Sequence, residues 1–421
     1  MEMTMSRMTE IENIQEFEQI IRRIPKSDLH LHLDGSVRPE TIIEISKKEK
    51  LSLPSYTIDG LNETLFKDQY ENLEEYLTTF SYSGAVMQKP EYLEQISYEL
   101  ARDVQDEGVR YIEVRFAPQL HINKLMDLKT VLESVNNGLE RAQKEFNQRT
   151  VIKEGSEPPF YYGIIVCAMR YLGPWSEYYR SFIDTFSFSN IDEICRLAAL
   201  ELAKGAIKLR DEHGIPIAGF DLAGAEAGNP ASKFWESFQF VHEAFMPKTV
   251  HAGEAYGPES IFQAITELHA DRIGHGYYLF DASKIKNPKI KDKEKYISNL
   301  SQFVADRRIT IEVCLTSNMQ TNPTIRNMSE HTFGEMIKHN LSVTLCTDNR
   351  TVSKTNLTQE IMLAANNFPL SPKTLKNSIV YGFKRSFFPG KYSEKRKYVR
   401  QCLDYYEKLT EGVPGLSLSE R

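Results

Sequence analysis

The sequence predicts an α/β protein built as a (β/α)8 barrel, and three observations carry that expectation. Eight short apolar or β-branched runs punctuate the chain. Longer stretches with helical periodicity separate them, and polar residues out of place in core strands fall at the C-terminal ends of the runs. An open doubly wound sheet also alternates strand and helix, but no glycine-rich phosphate loop follows the first run.

The strand runs are SDLHLHLD (27–34), VRYIEVRFAP (109–118), YYGIIVCAMR (161–170), IPIAGFDLAG (215–224), KTVHAGE (248–254), DRIGHG (271–276), RITIEVCLTSN (308–318) and LSVTLCTDN (341–349). PEYLEQISYELARDVQDEG and TVLESVNNGLERAQKEF are two of the intervening helical patterns. No linker, repeat or low-complexity stretch divides the chain, so one domain is expected over 1–421, with the barrel at about 24–385. Additional helices are expected at the N-terminus (about 8–23), in the first β/α insertion (51–89) and after the eighth strand (about 355–411). KEGSEPPF (153–160) reads as a surface decoration, the lysine-rich KIKNPKIKDKEK (284–295) as a solvated loop, and the tail GVPGLSLSER as frayed.

With 41% hydrophobic and 26% charged residues, the chain can bury a large core. A net charge of -7 argues against nucleic-acid partners, which favour basic surfaces. MEMTMSRMTEIENIQ lacks the apolar core of a signal peptide, and no apolar run reaches membrane-spanning length. Cys167, Cys195, Cys314, Cys346 and Cys402 show no CxxC spacing, which fits free thiols. A cytoplasmic protein without nucleic-acid or membrane partners is expected.

A (β/α)8 barrel gathers the C-terminal ends of its strands at one mouth. In SDLHLHLDG, alternation puts Asp28, His30, His32 and Asp34 on one face and Leu29, Leu31 and Leu33 on the other. On an isolated strand that polar face would simply be solvated. In a β/α chain it is barrel interior, where two neutral imidazoles need partners that a metal ion supplies. His251, in TVHAGEAYG, follows an apolar run, and the small Ala-Gly after it permits close approach to the backbone. Asp348 ends an otherwise apolar strand and needs a counter-ion. One Zn2+ held by His30, His32, His251 and Asp348 would lower the pKa of a water from ~15.7 towards ~7. His275, between two glycines, would deprotonate that water or stabilise the hydroxide, and Glu254 would protonate the leaving side. His121, His213, His242, His269, His331 and His339 are expected to be structural or superficial.

With those residues assembled, the chain resembles the adenosine deaminase family of metal-dependent hydrolases. LHLHLDGS, FDLAGAE, HAGE, RIGHG and CTDN occur in the family's order, and the resemblance spans about 24–385. It implies hydrolytic deamination of adenosine and 2′-deoxyadenosine to the inosine product and ammonia, in purine salvage. It also implies the zinc set above, Glu254 as proton donor to purine N1, and His275 as the residue assisting the water. Further implied contacts are Gly224 N–H to purine N3 and Asp34 to the ribose 5′-hydroxyl. Leu73, Tyr76, Leu77 and Phe80 form one apolar helical stripe, which the resemblance places as a lid over sugar and base.

One departure stands out, because many members carry two consecutive aspartates where this chain has Asp348-Asn349. The resemblance implies that the second position faces purine N7, an acceptor. An asparagine amide donates there without ionising, whereas an aspartate must first be protonated.

Free adenine, AMP or N6-methyl-AMP, and aminofutalosine are the competing substrates, and a silent nucleoside-binding protein is the competing class. A carboxylate at Asp34 disfavours a 5′-phosphate. The cytidine-type zinc deaminases need P-C-x-x-C, which is absent. The fourth run has no lysine to bridge a second metal. The expected partner is a small purine nucleoside, and the expected assembly a monomer or weak homo-oligomer.

Overall fold

Each of the eight runs forms a parallel strand in the computed structural model, which describes residues 14–322 and 324–417. The strands are β1 (Lys26–His32), β2 (Val109–Phe116), β3 (Tyr161–Met169), β4 (Ile217–Ala223), β5 (Thr249–Ala252), β6 (Arg272–His275), β7 (Thr310–Val313) and β8 (Ser342–Leu345). They pair in sequence order as β1 to β4 and β5 to β8. Two junctions close the ring. Phe220 N donates to Pro247 O (3.0 Å) between β4 and the start of β5. At the other seam, His32 N donates to Asp348 O and Asp348 N to His30 O, both at 2.8 Å.

Helices flank the ring because each segment carries its own start and stop signals. The helix Ile191–His213 begins at an Asn190/Glu193 capping box and ends on Gly214 in the left-handed region. Val114, Ile164 and Leu222 pack outward into the main core, while charged residues fill the inside. Within the ring, Arg115 donates to Asp221 (3.0 Å) and Glu312 (2.8 Å), and Arg272 donates to Glu312 (2.6 Å) and also bonds Glu113. Below them the Phe387 ring lies 3.5 Å from the Arg272 guanidinium and its N–H bonds Glu113.

The expected N-terminal helix is present over Ile14–Arg23, and residues 8–13 lie outside the described part. Three other local expectations change. The lid stripe is two helices, Leu73–Thr78 and Phe80–Val86. Thr78 and Thr79 turn their hydroxyls back onto the carbonyls of Glu75 (2.6 Å) and Tyr76 (2.8 Å), which competes with the helical bonds and breaks the helix there. The C-terminal segment does not fray over its described length, because Leu416 is fully buried in the main core.

Strict alternation in β1 also fails. An irregularity between Asp28 and Leu31 takes Asp28 out of the histidine row, and its carboxylate accepts from Thr347 Oγ1 (2.6 Å). Leu29 packs with Tyr111, Cys314, Cys346 and Phe383, apart from the main core that holds Leu31 and Leu33.

Candidate active site

The β8/β1 seam brings together residues 318 positions apart. Asp348, with φ +60°, hydrogen-bonds through its backbone between His30 and His32. Its Oδ1 then lies 3.4 Å from both His30 Nε2 and His32 Nε2. His251, at the end of β5, puts its Nε2 3.2 Å from His32 Nε2. One ligand atom from each of His30, His251, His275 and Asp348 lies within 4.8 Å of the other three.

Three of these side chains, His30, His251 and Asp348, are gripped from behind. Glu312 on β7 accepts from His30 Nδ1 (2.9 Å), and Asp221 on β4 from His251 Nδ1 (3.0 Å). Carboxylates behind imidazoles fix the ring and its tautomer, leaving the far nitrogen's lone pair for a metal. Ser317 Oγ donates to Asp348 Oδ2 (2.6 Å).

The cluster fits a divalent cation on two counts. His30 Nε2 is buried without a hydrogen-bond partner, and two imidazole nitrogens meet at 3.2 Å. In addition, the buried carboxylates Glu113, Asp221 and Glu312 share the guanidinium groups of Arg115 and Arg272, and Asp348 faces imidazoles and the Ser317 hydroxyl. That leaves an excess of two negative charges for an ion to balance.

Burial holds His32, His251 and His275 below the ordinary imidazole value. For His30, burial is outweighed by Asp348 and Glu312, and the ring is held above it. Burial pushes Glu254 well above the usual carboxylate range, and Asp348 and Glu226 push the same way, which favours its protonated form. Its Oε1 lies 3.6 Å from His275 Nε2.

The loop carrying Glu254 is clamped by Glu226, which is fully buried. The Glu226 carboxylate accepts the backbone N–H groups of Gly253, Glu254, Ala255 and Tyr256 at 2.6–3.0 Å.

All these groups open onto a cavity of about 890 Å³. Leu73, Tyr76, Leu77 and Phe80 line one side, and His32, His251, Glu254, His275 and Asp348 another. Asp34, Gly224 and Asn349 also reach the cavity. Among the described residues, no lysine or arginine lines it, whereas Asp34, Glu74, Glu177, Glu254 and Asp348 do.

Comparison with known proteins agrees with this geometry. The family model described as adenosine deaminase matches residues 25–176 and 191–403. The chain belongs to the adenosine deaminase family. It is 32% identical over 377 residues to an adenosine deaminase of Mycobacterium avium, covering 89% of this chain and 93% of that one. It is also 32% identical over 375 residues to one from Clostridium perfringens, covering 89% and 97%. Among solved structures, an adenine deaminase from Arthrobacter aurescens superposes with a TM-score of 0.68 at 21% identity, covering 91% of this chain and 99% of that one. An N6-mAMP deaminase from Arabidopsis does so with 0.69 at 22%, covering 92% and 99%. At those identities the two structures bear on the fold, which is the family's barrel.

Every site residue expected from the sequence reaches the mouth, although His30 lies beneath the cavity surface rather than on it. Asp34 sits in the turn after β1, with Oδ1 3.8 Å from His32 Nδ1, and burial pushes its carboxyl up to about 7. Asn349 Nδ2 donates to Tyr76 Oη (2.8 Å), which also bonds Ser353 Oγ (2.8 Å).

Two glycines make room within the fold. A Cβ on Gly274 would come 2.9 Å from His30 Cε1, so this glycine makes room for His30. A Cβ on Gly253 would meet Ile261 at 2.7 Å and its φ is +73°, so helix packing and backbone conformation both call for glycine there.

Glu312, Ser317, Asn318, Asp221 and Glu226 have no role among the expectations from the sequence, the last two standing there within FDLAGAE. A charged residue inside an apolar run (IEV, FDL) was the available signal for Glu312 and Asp221. Ser317, Asn318 and Glu226 carry no such mark.

Proposed function

We propose that this chain deaminates adenosine and 2′-deoxyadenosine hydrolytically, taking up water and releasing ammonia, as a step in purine salvage. The observation that carries the reading is a buried acid, Glu254, held well above the usual carboxylate range, beside a His/Asp cluster at one wall of a cavity that no described lysine or arginine lines.

His30, His32, His251 and Asp348 would hold the metal. Three imidazoles and one carboxylate suit zinc. When bound, zinc would act as a Lewis acid and acidify water. Glu254 donates its proton to purine N1, so the ring carbon accepts the attacking oxygen, and His275 assists the attacking water. Gly224, at φ +91°, offers its backbone N–H to N3, and Asn349 faces N7. Asp34 accepts from the 5′-hydroxyl.

The cavity's charge favours a nucleoside over its relatives. Glu74, Glu177 and Asp348 line it beside Asp34 and Glu254, and among the described residues no lysine or arginine does, so a 5′-phosphate would find no cation there. Free adenine would leave Asp34 without a partner.

No described helix is long and apolar enough to cross a membrane. All five cysteines are free and buried, which supports a cytoplasmic location.

The test is the fall in 265 nm absorbance with adenosine, 2′-deoxyadenosine, 5′-deoxyadenosine, adenine, AMP and aminofutalosine, on protein of measured zinc content. Adenosine is expected to turn over fastest, and 5′-deoxyadenosine measurably more slowly. Preferred turnover of AMP or adenine would overturn the substrate assignment, and no turnover of any would overturn the enzyme reading.

A further inference from the structure

His331, 56 residues downstream of His275 in the chain, stands behind it in the fold. Two hydrogen bonds through Asn318 connect them, and a third anchors His331 to the backbone. Phe333 N donates to His331 Nδ1 (3.0 Å), His331 Nε2 lies 3.2 Å from Asn318 Oδ1, and Asn318 Nδ2 lies 3.1 Å from His275 Nδ1. All three side chains are buried.

The chain has one consistent proton assignment, and a backbone group sets it. A backbone N–H can only donate, so His331 Nδ1 is bare. His331 is neutral, since burial pulls it down to about 3, and its proton therefore sits on Nε2. That N–H donates to an oxygen, which orients the Asn318 amide with Oδ1 towards His331 and Nδ2 towards His275. Asn318 Nδ2 then donates to His275 Nδ1, and the His275 proton is placed on Nε2. His275 Nε2 is buried without a hydrogen-bond partner and faces Glu254.

We infer that His331 and Asn318 are positioning residues that hold His275 in its Nε2–H form, so that His275 serves the reaction as a hydrogen-bond donor to the attacking oxygen and not as a base. The inference rests on the deaminase reading above. It also separates His275 from His30 and His251. Carboxylates back those two rings and leave Nε2 lone pairs for a metal, whereas a carboxamide backs His275 and removes that lone pair.

The test uses the zinc-loaded full-length enzyme. Asn318→Asp presents an acceptor on both sides, which draws the His275 proton to Nδ1. A wrong tautomer in a catalytic histidine costs up to about 10⁴-fold in turnover elsewhere, and here a kcat loss of roughly 10²-fold or more is expected. Zinc content and adenosine KM should stay within about threefold. Asn318→Ala removes the orienting group without imposing the wrong tautomer, so its kcat loss should be smaller. His331→Gln, which can still donate to Asn318 Oδ1, should keep more activity than His331→Phe.

Ring-¹⁵N histidine spectra, with the His275 signal assigned from His275→Ala, give a readout independent of turnover. Wild type should show a protonated Nε2 and a bare Nδ1, and Asn318→Asp the reverse. A protonated Nδ1 in wild type, or an unchanged tautomer in Asn318→Asp, overturns the inference. So does equal loss in Asn318→Asp and Asn318→Ala, which marks a packing role. Absence of adenosine turnover in wild type instead overturns the deaminase reading and leaves the spectroscopic result standing on its own.

Discussion

The two sides of the cavity are held together by different means. On the strand side, His30, His251 and Asp348 each bond a buried partner from another segment: Glu312, Asp221 and Ser317. On the lid side, Leu73, Leu77 and Phe80 sit on short helices packed against the apolar core. The one polar tie from these lid residues is Tyr76, whose hydroxyl meets Asn349 and Ser353 in the loop after β8. Positions that must hold a charged ion within tenths of an ångström are set by directional bonds in low dielectric. Positions that need only exclude water and enclose a ring are set by packing.

This contrast orders the expected effects of mutation. The largest is His251→Ala, which should lose metal and activity together, as read by zinc content and turnover on one preparation. Full zinc occupancy in that variant would remove His251 from the ligand set.

Glu254→Gln should keep its zinc and lose about 10²–10⁴-fold in kcat, because it removes the proton and leaves the ligands intact. Zinc loss parallel to activity would mean that Glu254 supports the cluster instead of donating to the purine.

Asp221→Asn weakens the partner behind His251, a proposed ligand, and zinc affinity should fall about 10–100-fold by competition with a chelator. A value within threefold of wild type would show that the strand side does not depend on its backing carboxylates.

Tyr76→Phe tests the single polar tie of the lid. Asn349 would lose the acceptor that orients its amide, so the preference for adenosine over 7-deazaadenosine, which lacks N7, should fall about fivefold. An unchanged preference would make the lid purely apolar in function.

The smallest effect on activity is expected from Glu360→Gln, whose signature is in stability. Glu360 bonds the N–H and hydroxyl of Thr316 at the start of the helix that carries Ser317 and Asn318. Burial raises its carboxyl from the ordinary 4.5 to about 7. Its folded state therefore binds the proton more tightly. The stabilisation is complete below about pH 4.5 and is lost as pH rises through about 7. Urea unfolding of the zinc-loaded protein at pH 5 and pH 8 should show a drop for wild type, smaller in the variant by up to about 3 kcal/mol. Equal drops would rule out Glu360 as the source.

Much of the barrel was legible because its signals are local. Apolar runs of strand length, separated by helical periodicity, specify eight β/α units whichever way the chain later closes. His30, His32, His251, Glu254, His275 and Asp348 were legible for a related reason. Each interrupts an apolar strand or follows its end, where a polar side chain is costly without a partner. The break in the lid at Thr78 and Thr79 was not legible, because whether a hydroxyl bonds a carbonyl or solvent depends on what surrounds it.

The sequence by itself determined the fold class, the family and the residues that meet at the mouth, since periodicity and motif order need no knowledge of distant contacts. Only the tertiary structure decided what stands behind them. Asp28 leaves the histidine row through an irregular pairing, Gly274 clears space for His30, and Glu226 grips the Glu254 loop. His331, which reads as one more structural histidine, comes to stand behind His275 through Asn318. Hydrogen bonds between strands dozens of residues apart exist only once the ring has closed. They specify proton positions that no local pattern of residues encodes.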